Sequence, residues 1–190
     1  MSNPQSELVE FLAQFTHDPL GFVYSCFPWG KDELANYKGP DAWQIEILEK
    51  LGKGLINIEE AIRLAVASGH GIGKSALVSW IVLWAVSTHE DTRGIVTANT
   101  ETQLRSKTWP EVSKWYRMFI GRELFEITAT AIFSADKEHE KTWRIDAIPW
   151  SKENPEAFAG LHNQGKRILV IFDEASAIID EIWEVTEGAM

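Results

Sequence analysis

The sequence predicts an α/β domain with a mostly parallel central sheet flanked by helices. Three observations carry that prediction. Short, mainly apolar runs at residues 61–68, 93–99 and 166–176 read as buried strands. Stretches with helical character alternate with them. Each run also ends in polar, chemically capable residues, "SGHGIGKS", "TANTET" and "DEAS", and in parallel sheets ligands bind at the carboxyl ends of the strands.

In chain order, residues 6–16 read as an amphipathic helix with Ser6 as its cap and Leu8, Phe11, Leu12 and Phe15 on one face. "DPLGFVYSCFPWGKD" is irregular, broken by proline and glycine. Residues 41–51 read as a second helix carrying Trp43, Ile45, Ile47, Leu48 and Leu51. "AIRLAVAS" (61–68) is the first strand and runs into a glycine loop. Residues 75–86 form a strongly apolar helix, and "RGIVTAN" (93–99) is the second strand. Thr100 caps a long helix over 101–119, which Pro110 can kink or break. Residues 122–149 show no dominant period, although "KTWRIDAIPW" fits a strand. Residues 150–166 read as a polar loop. "KRILVIFDEAS" (166–176) is the third strand and ends in two acids.

A chain of 190 residues is one ordinary domain or slightly more. It divides into an N-terminal helical segment, 1–57, and a core, 58–190. The apolar fraction of 45% suits a globular protein, and the nine tryptophans read as packing residues. A net charge of −10 argues against a free-standing domain that holds nucleic acid on a broad basic face. It leaves room for a motor whose grip lies elsewhere. Cys26 stands alone, so neither an internal disulfide nor a cysteine metal cluster can form, which fits a reducing cytosolic setting. "MSNPQSELVE" is polar and acidic, unlike a signal peptide. No apolar run is long enough to span a bilayer.

The stretch "VASGHGIGKSALVSW" (66–80) has the makings of a phosphate site. Gly69, Gly71 and Gly73 supply bare backbone that can turn sharply and approach an anion. The helix that follows aims the positive end of its dipole at the same place. Lys74 can reach the β- and γ-phosphates of a nucleotide, and the Ser75 hydroxyl is placed to bind Mg²⁺. The loop from Gly69 through His70, Gly71, Ile72 and Gly73 to Lys74, Ser75 and Ala76 is the candidate nucleotide cradle. The strict pattern wants glycine where Ser68 stands, and a small serine can still make that turn.

"ILVIFDEAS" places Asp173 and Glu174 just past an apolar strand. An acid at such a strand tip can hold Mg²⁺, commonly through water. Successive side chains point to opposite sides, so Glu174 can orient or deprotonate the water that attacks a γ-phosphate. One acid for metal and one for water favours ATP hydrolysis over phosphoryl transfer to another substrate. Taken alone, Asp-Glu after a strand also fits an ordinary helix start.

With both motifs in view, the chain resembles the ATPase domain of the large terminase subunit of tailed phages, the motor that packages DNA into procapsids. The resemblance rests on "DAWQIEIL", "SGHGIGKS", "TANTETQLRSKTW", "NPEAFAGLH" and "ILVIFDEAS", in that order. It implies a P-loop fold of the RecA-like, ASCE type, with ATP and Mg²⁺ as cofactors. Gln44 matches a glutamine that reads the adenine edge, for which an amide offers one donor and one acceptor. Without the resemblance, Gln44 reads equally well as a polar residue on an apolar helix. Lys74 and Ser75 match the phosphate and Mg²⁺ ligands, Asp173 the metal acid and Glu174 the catalytic carboxylate. The implied partners are double-stranded DNA, a portal protein, a small terminase subunit and further copies in a ring, in the host cytoplasm.

The chain departs from that pattern in three ways. Many terminases carry an arginine within the loop where this chain has His70, and a neutral imidazole cannot replace a guanidinium there. The plainer reading of His70 is a solvated side chain. An arginine finger then comes from a neighbouring subunit or from Arg105, Arg144 or Arg167. The strand expected between the loop strand and the acidic strand is missing, which predicts a gap in the core sheet and an incomplete C-terminal side. No second acidic cluster is evident, so nuclease activity is not expected, and the ATPase of this chain alone is expected to be weak. Two rivals stand beside the packaging motor: a helicase-like nucleic-acid translocase, and a non-catalytic assembly module that binds nucleotide.

Overall fold

Each of the first three helices opens on a polar side chain that takes up a backbone N–H which the helix cannot satisfy itself. At α1 (Pro4–Ala13) the Gln5 N–H donates to Asn3 Oδ1 at 3.2 Å. At α2 (Pro19–Cys26) the Gly21 N–H donates to Asp18 Oδ1 at 2.8 Å. Both have proline in the first turn, where its missing N–H costs nothing. At α3 (Ala42–Gly54) Gln44 reaches back, and its Oε1 accepts from the Asp41 N–H at 2.8 Å. These helices come from a computed structural model that describes residues 3–56, 61–66, 71, 73–98, 100–150, 161 and 166–173.

Helix α4 (Lys74–Ser87) is apolar on all sides and lies within the core. It leads into β1 (Arg93–Ala98), whose last five residues are all buried. The sheet has five strands in the order β2-β3-β4-β1-β5, with β2 at Phe125–Ile127, β3 at Ala131–Ser134, β4 at Arg144–Ala147 and β5 at Ile168–Asp173. β1 pairs in parallel with β4 and β5, whereas β2–β3 and β3–β4 are antiparallel.

The sheet is therefore mixed, and the expectation of a mostly parallel one is corrected. The reason lies in residues 122–149, which fold as a meander. The turn between β2 and β3 is too short for the crossover that a parallel pair requires. The strand expected over 61–68 is corrected as well: residues 61–66 have no regular structure and are mostly exposed, while 67 and 68 lie outside the described residues. A strand needs at least one neighbouring strand to take up its backbone groups, and none pairs with residues 61–66 among the described residues. β5 has β1 on one edge and no partner strand on the other among the described residues, and all six of its residues are half-buried.

The long helix expected over 101–119 is real but interrupted. A short turn of α5 (Glu101–Gln103), capped by Thr100, widens into a π-turn at Leu104–Thr108 before α6 (Trp109–Met118). The Trp109 N–H donates to the Leu104 carbonyl, five residues back. Pro110 has no N–H to continue an α-ladder and its ring would crowd the preceding turn, so the widening falls just before it.

Helices α1–α4 and α6 share one core with the inner face of the sheet. At its centre Trp80 and Trp115 meet edge to face at 5.0 Å, with Trp29 against both. Three further tryptophans spend their indole N–H groups on distant segments. Trp84 donates to Phe15 O, Trp109 to Thr128 O and Trp143 to Val86 O. Cys26 lies in this core, and burial pushes its thiol up to about 12, so it is an inert packing residue.

Two polar clusters close the end of the sheet at which β1 and β5 begin. Arg167 lies over the Trp84 ring at 4.2 Å and donates to Thr88 Oγ1, Thr16 O and Ala85 O, tying β5 to α4 and to the α1–α2 turn. Burial lowers its pKa to about 10, so it stays charged at neutral pH. Asp91, in a left-handed conformation (φ 54°), holds His139 at 2.9 Å and accepts from Thr142 at 3.0 Å, with Lys166 at 3.8 Å.

Two outcomes follow from these clusters. Replacing Arg167 by alanine removes its bonds to Thr16 O, Ala85 O and Thr88 Oγ1 together with its stacking on Trp84, and is expected to cost about 2–3 kcal/mol in urea unfolding. The hydrogen bond that the His139 ring donates to Asp91 holds the His139 pKa above its ordinary 6.5, and holds that of Asp91 below 3.8. The pair's stabilisation is thus complete between those two values, and it is lost as the pH rises through the raised His139 pKa. His139→Gln should flatten that part of the stability–pH curve; an unchanged slope would show that the pair contributes nothing.

Candidate nucleotide and metal site

The direction of the elements decides where the chemistry can sit. β1 and β5 run in parallel register from Arg93↔Ile168 to Ala98↔Asp173, so their carboxyl ends share one edge. α4 precedes β1 and packs against the sheet beside β5. Its 14 residues span about 21 Å; the six of β1 span about 20 Å. The helix therefore returns its N-terminus, with Lys74, Ser75 and Ala76, to the edge where Asp173 ends β5.

The approach to that N-terminus is built from glycine for a stated reason. Gly71 (φ 78°) and Gly73 (φ 88°) are both left-handed, a conformation L side chains rarely adopt. Gly73 is the cap of α4, and a Cβ there would stand 2.9 Å from Gln44 Nε2. Lys74, Ser75 and Ala76 are half-buried in the first turn. The first-turn N–H groups and the helix dipole favour an anion at this position.

Gln44 is 3% exposed and joins α3 to this loop. Its Oε1 accepts from the Asp41 N–H, and its Nε2 donates to the Gly73 carbonyl at 2.9 Å. The amide thus spends its acceptor and one N–H inside the protein, leaving one further N–H for a ligand. Gln44 is brought next to the glycine loop, and its visible work is to hold Gly73, the loop's last residue.

Asp173 closes β5, and its Oδ2 accepts a hydrogen bond from Thr108 Oγ1 at 2.5 Å. A hydroxyl is a neutral donor and brings no charge to the carboxylate. A carboxylate and a serine hydroxyl offer oxygen donors of the kind a hard ion such as Mg²⁺ takes, so these residue types fit that ion. Gly69, His70, Ile72 and Glu174 lie outside the described residues.

The three arginines offered by the sequence separate clearly. Arg144 stands in register with Arg93 at the start of its strand, roughly 17 Å from the Ala98–Asp173 end. It forms an ion pair with Asp146. Arg167 sits at that same far end, stacked on Trp84. Neither can serve as a finger for Asp173's edge within one chain, because parallel pairing puts strand starts and strand ends on opposite sides. Arg105, in the π-turn beside Thr108, lies toward the site edge; it pairs with Glu101 at 2.6 Å on the surface. Sequence reasoning missed Thr108. The available signal was Pro110 inside a helical pattern, which marks a local change of register just ahead of it.

No protein-family model matches the chain. It is 29% identical over 131 residues, 66% of its length, to a protein of Enterobacteria phage P7 described as "Probable terminase, large subunit". This likeness supports the terminase family. The chain spans about a quarter (26%) of that relative's length. Among the described residues no helix is long and apolar enough to cross a membrane.

Removing the Gln44 amide by Gln44→Ala takes away the side-chain partner of the Asp41 N–H and one of the two donors to the Gly73 carbonyl, which keeps its bond from the Leu77 N–H. The expected cost is about 1–3 kcal/mol in chemical denaturation, and loss of a clean phosphate-loop conformation should appear as faster amide exchange at residues 73–76. Exchange at wild-type rates would show that the loop holds itself.

Proposed function

We propose that the chain is the ATP-binding and hydrolysing part of a phage terminase large subunit, which powers movement of double-stranded DNA into procapsids. What supports this reading is direction: the parallel β1–β5 ladder and the return of α4 put Ser75 and Asp173, 98 positions apart in sequence, toward the same edge of the sheet. The description of the phage P7 relative favours packaging over a helicase-like role.

In this reading the loop Gly69–Gly73 wraps the phosphates with backbone N–H groups, and Lys74 contacts the β- and γ-phosphates. Ser75 and Asp173 would hold Mg²⁺, which supplies charge neutralisation on the phosphate oxygens when bound. Glu174 accepts a proton from water as the water oxygen bonds to the γ-phosphorus; the bond to the β-phosphate bridging oxygen breaks, and ADP leaves. The second amide N–H of Gln44 would face the base, and Arg105 is the finger candidate on the same side of the sheet. DNA, the portal protein, the small subunit and a ring of copies in the host cytoplasm belong to the assembled motor. The division into a helical segment at 1–57 and a core at 58–190 is retained as part of this proposal.

Lys74→Ala should weaken ATP binding about tenfold or more in calorimetry, since it removes a charged contact to phosphate. Glu174→Gln should keep ATP binding and abolish phosphate release. Unchanged ATP affinity in Lys74→Ala would remove the phosphate-loop assignment; unchanged turnover in Glu174→Gln would remove the catalytic one.

A further inference from the structure

We propose that Thr108 is a positioning residue for Asp173, and that the π-turn at Leu104–Thr108 exists to deliver its hydroxyl to that carboxylate. The inference rests on the reading of Asp173 as the metal-holding acid.

Hydroxyls on the helices of this chain have an ordinary destination. Ser79 donates to Ser75 O, Ser87 to Leu83 O, Thr88 to Trp84 O, Ser106 to Thr102 O and Ser113 to Trp109 O, each four residues back along its own helix. Thr108 does otherwise. Its hydroxyl crosses to another element and meets Asp173 Oδ2, 65 positions away in sequence. The residue is fully buried at 0% exposure. A β-branched side chain has little χ1 freedom, so the donor is fixed by packing as well as by the bond.

The backbone explains how this is possible. Thr108 and Trp109 are neighbours, yet both are buried, at 0% and 2% exposure. An α-helix turns about 100° per residue and tends to send one of two neighbours outward. The wide turn brings both inward: Trp109 donates from its indole to Thr128 O, and Thr108 donates to Asp173. π-turns are rare and concentrate at functional sites.

The consequence concerns the acid's orientation. With Oδ2 held by Thr108, the carboxylate plane is fixed and Oδ1 is the oxygen left for the metal's hydration shell. Thr108 touches no reacting atom; it acts through Asp173. Because it stands at the junction with α6, a shift of α6 would be felt at the acid, which ties the site to the exposed face that carries Arg105 and Arg117.

The test compares Thr108→Val, which keeps volume and loses the donor, with Thr108→Ser, which keeps the donor. Binding of a non-hydrolysable ATP analogue is measured by calorimetry against Mg²⁺ concentration, and Mn²⁺ binding to the analogue complex by electron paramagnetic resonance. Thr108→Val should raise the metal concentration for half-maximal effect about tenfold without changing metal-free nucleotide affinity. Thr108→Ser should restore the wild-type metal dependence. Should circular dichroism show Thr108→Val unfolded, Thr108→Cys, of similar size and with a weak donor, takes its place with the same expectation. Wild-type metal dependence in the folded donor-poor variant, alongside a shift in Asp173→Asn, overturns the role of Thr108 and leaves the reading of Asp173 standing. No shift in Asp173→Asn overturns both.

Discussion

Six residues of β1 bond to β5 in parallel register, and the candidate site hangs from that ladder. Parallel pairing obliges both strands to finish on the same edge. The helix before β1 must therefore start on that edge, because it runs the length of the sheet in the opposite sense. Lys74 and Ser75 at the start of α4 and Asp173 at the end of β5 are brought together by direction alone. An antiparallel β1–β5 pair with the same residues would have put the glycine loop and the acid at opposite ends.

Two buried polar contacts then refine that placement. Gln44 ties the cap of α4 to α3, and Thr108 ties the end of β5 to the α5–α6 junction. Both groups are buried, where a hydrogen bond is costly to leave unmade. The glycine loop and the acid thus each answer to a different helix. Relative movement of α3 and α6 would change the site without any residue of the sheet being displaced.

The opposite end of the sheet is organised for stability. Arg167 and Asp91 gather contacts from the α1–α2 turn, the end of α4, the β3–β4 connection and the residue that leads into β5. Arg144 and Arg167 thus stand at the end of the sheet away from Asp173, and Arg105 lies on the Asp173 side. This placement also accounts for a strongly acidic chain with firmly placed cations: those arginines serve carbonyls, a carboxylate and aromatic rings within the fold.

The strands at 93–98 and 168–173, the helices at 42–54 and 74–87 and the cap at Thr100 were legible in the sequence. Each depends on local period and on a short capping pattern, which are written along the chain. The glycines, Lys74, Ser75 and Asp173 were legible as candidates because a phosphate loop and a strand-end acid have short, physically dictated spacings. Other features lay beyond any local signal. The meander at 122–149 mixes the sheet because its strands are short and take their register from neighbours. Residues 61–66 carry a strand's composition without a described strand beside them, and composition cannot supply a hydrogen-bonding edge. Which end of the sheet an arginine faces, and that Thr108 reaches Asp173, depend on strand direction and on a single extra residue in a helical turn. The sequence by itself determined which residues could bind a nucleotide and a metal; only the tertiary structure decided which of them share an edge, because direction and register belong to pairs of strands and not to one strand alone.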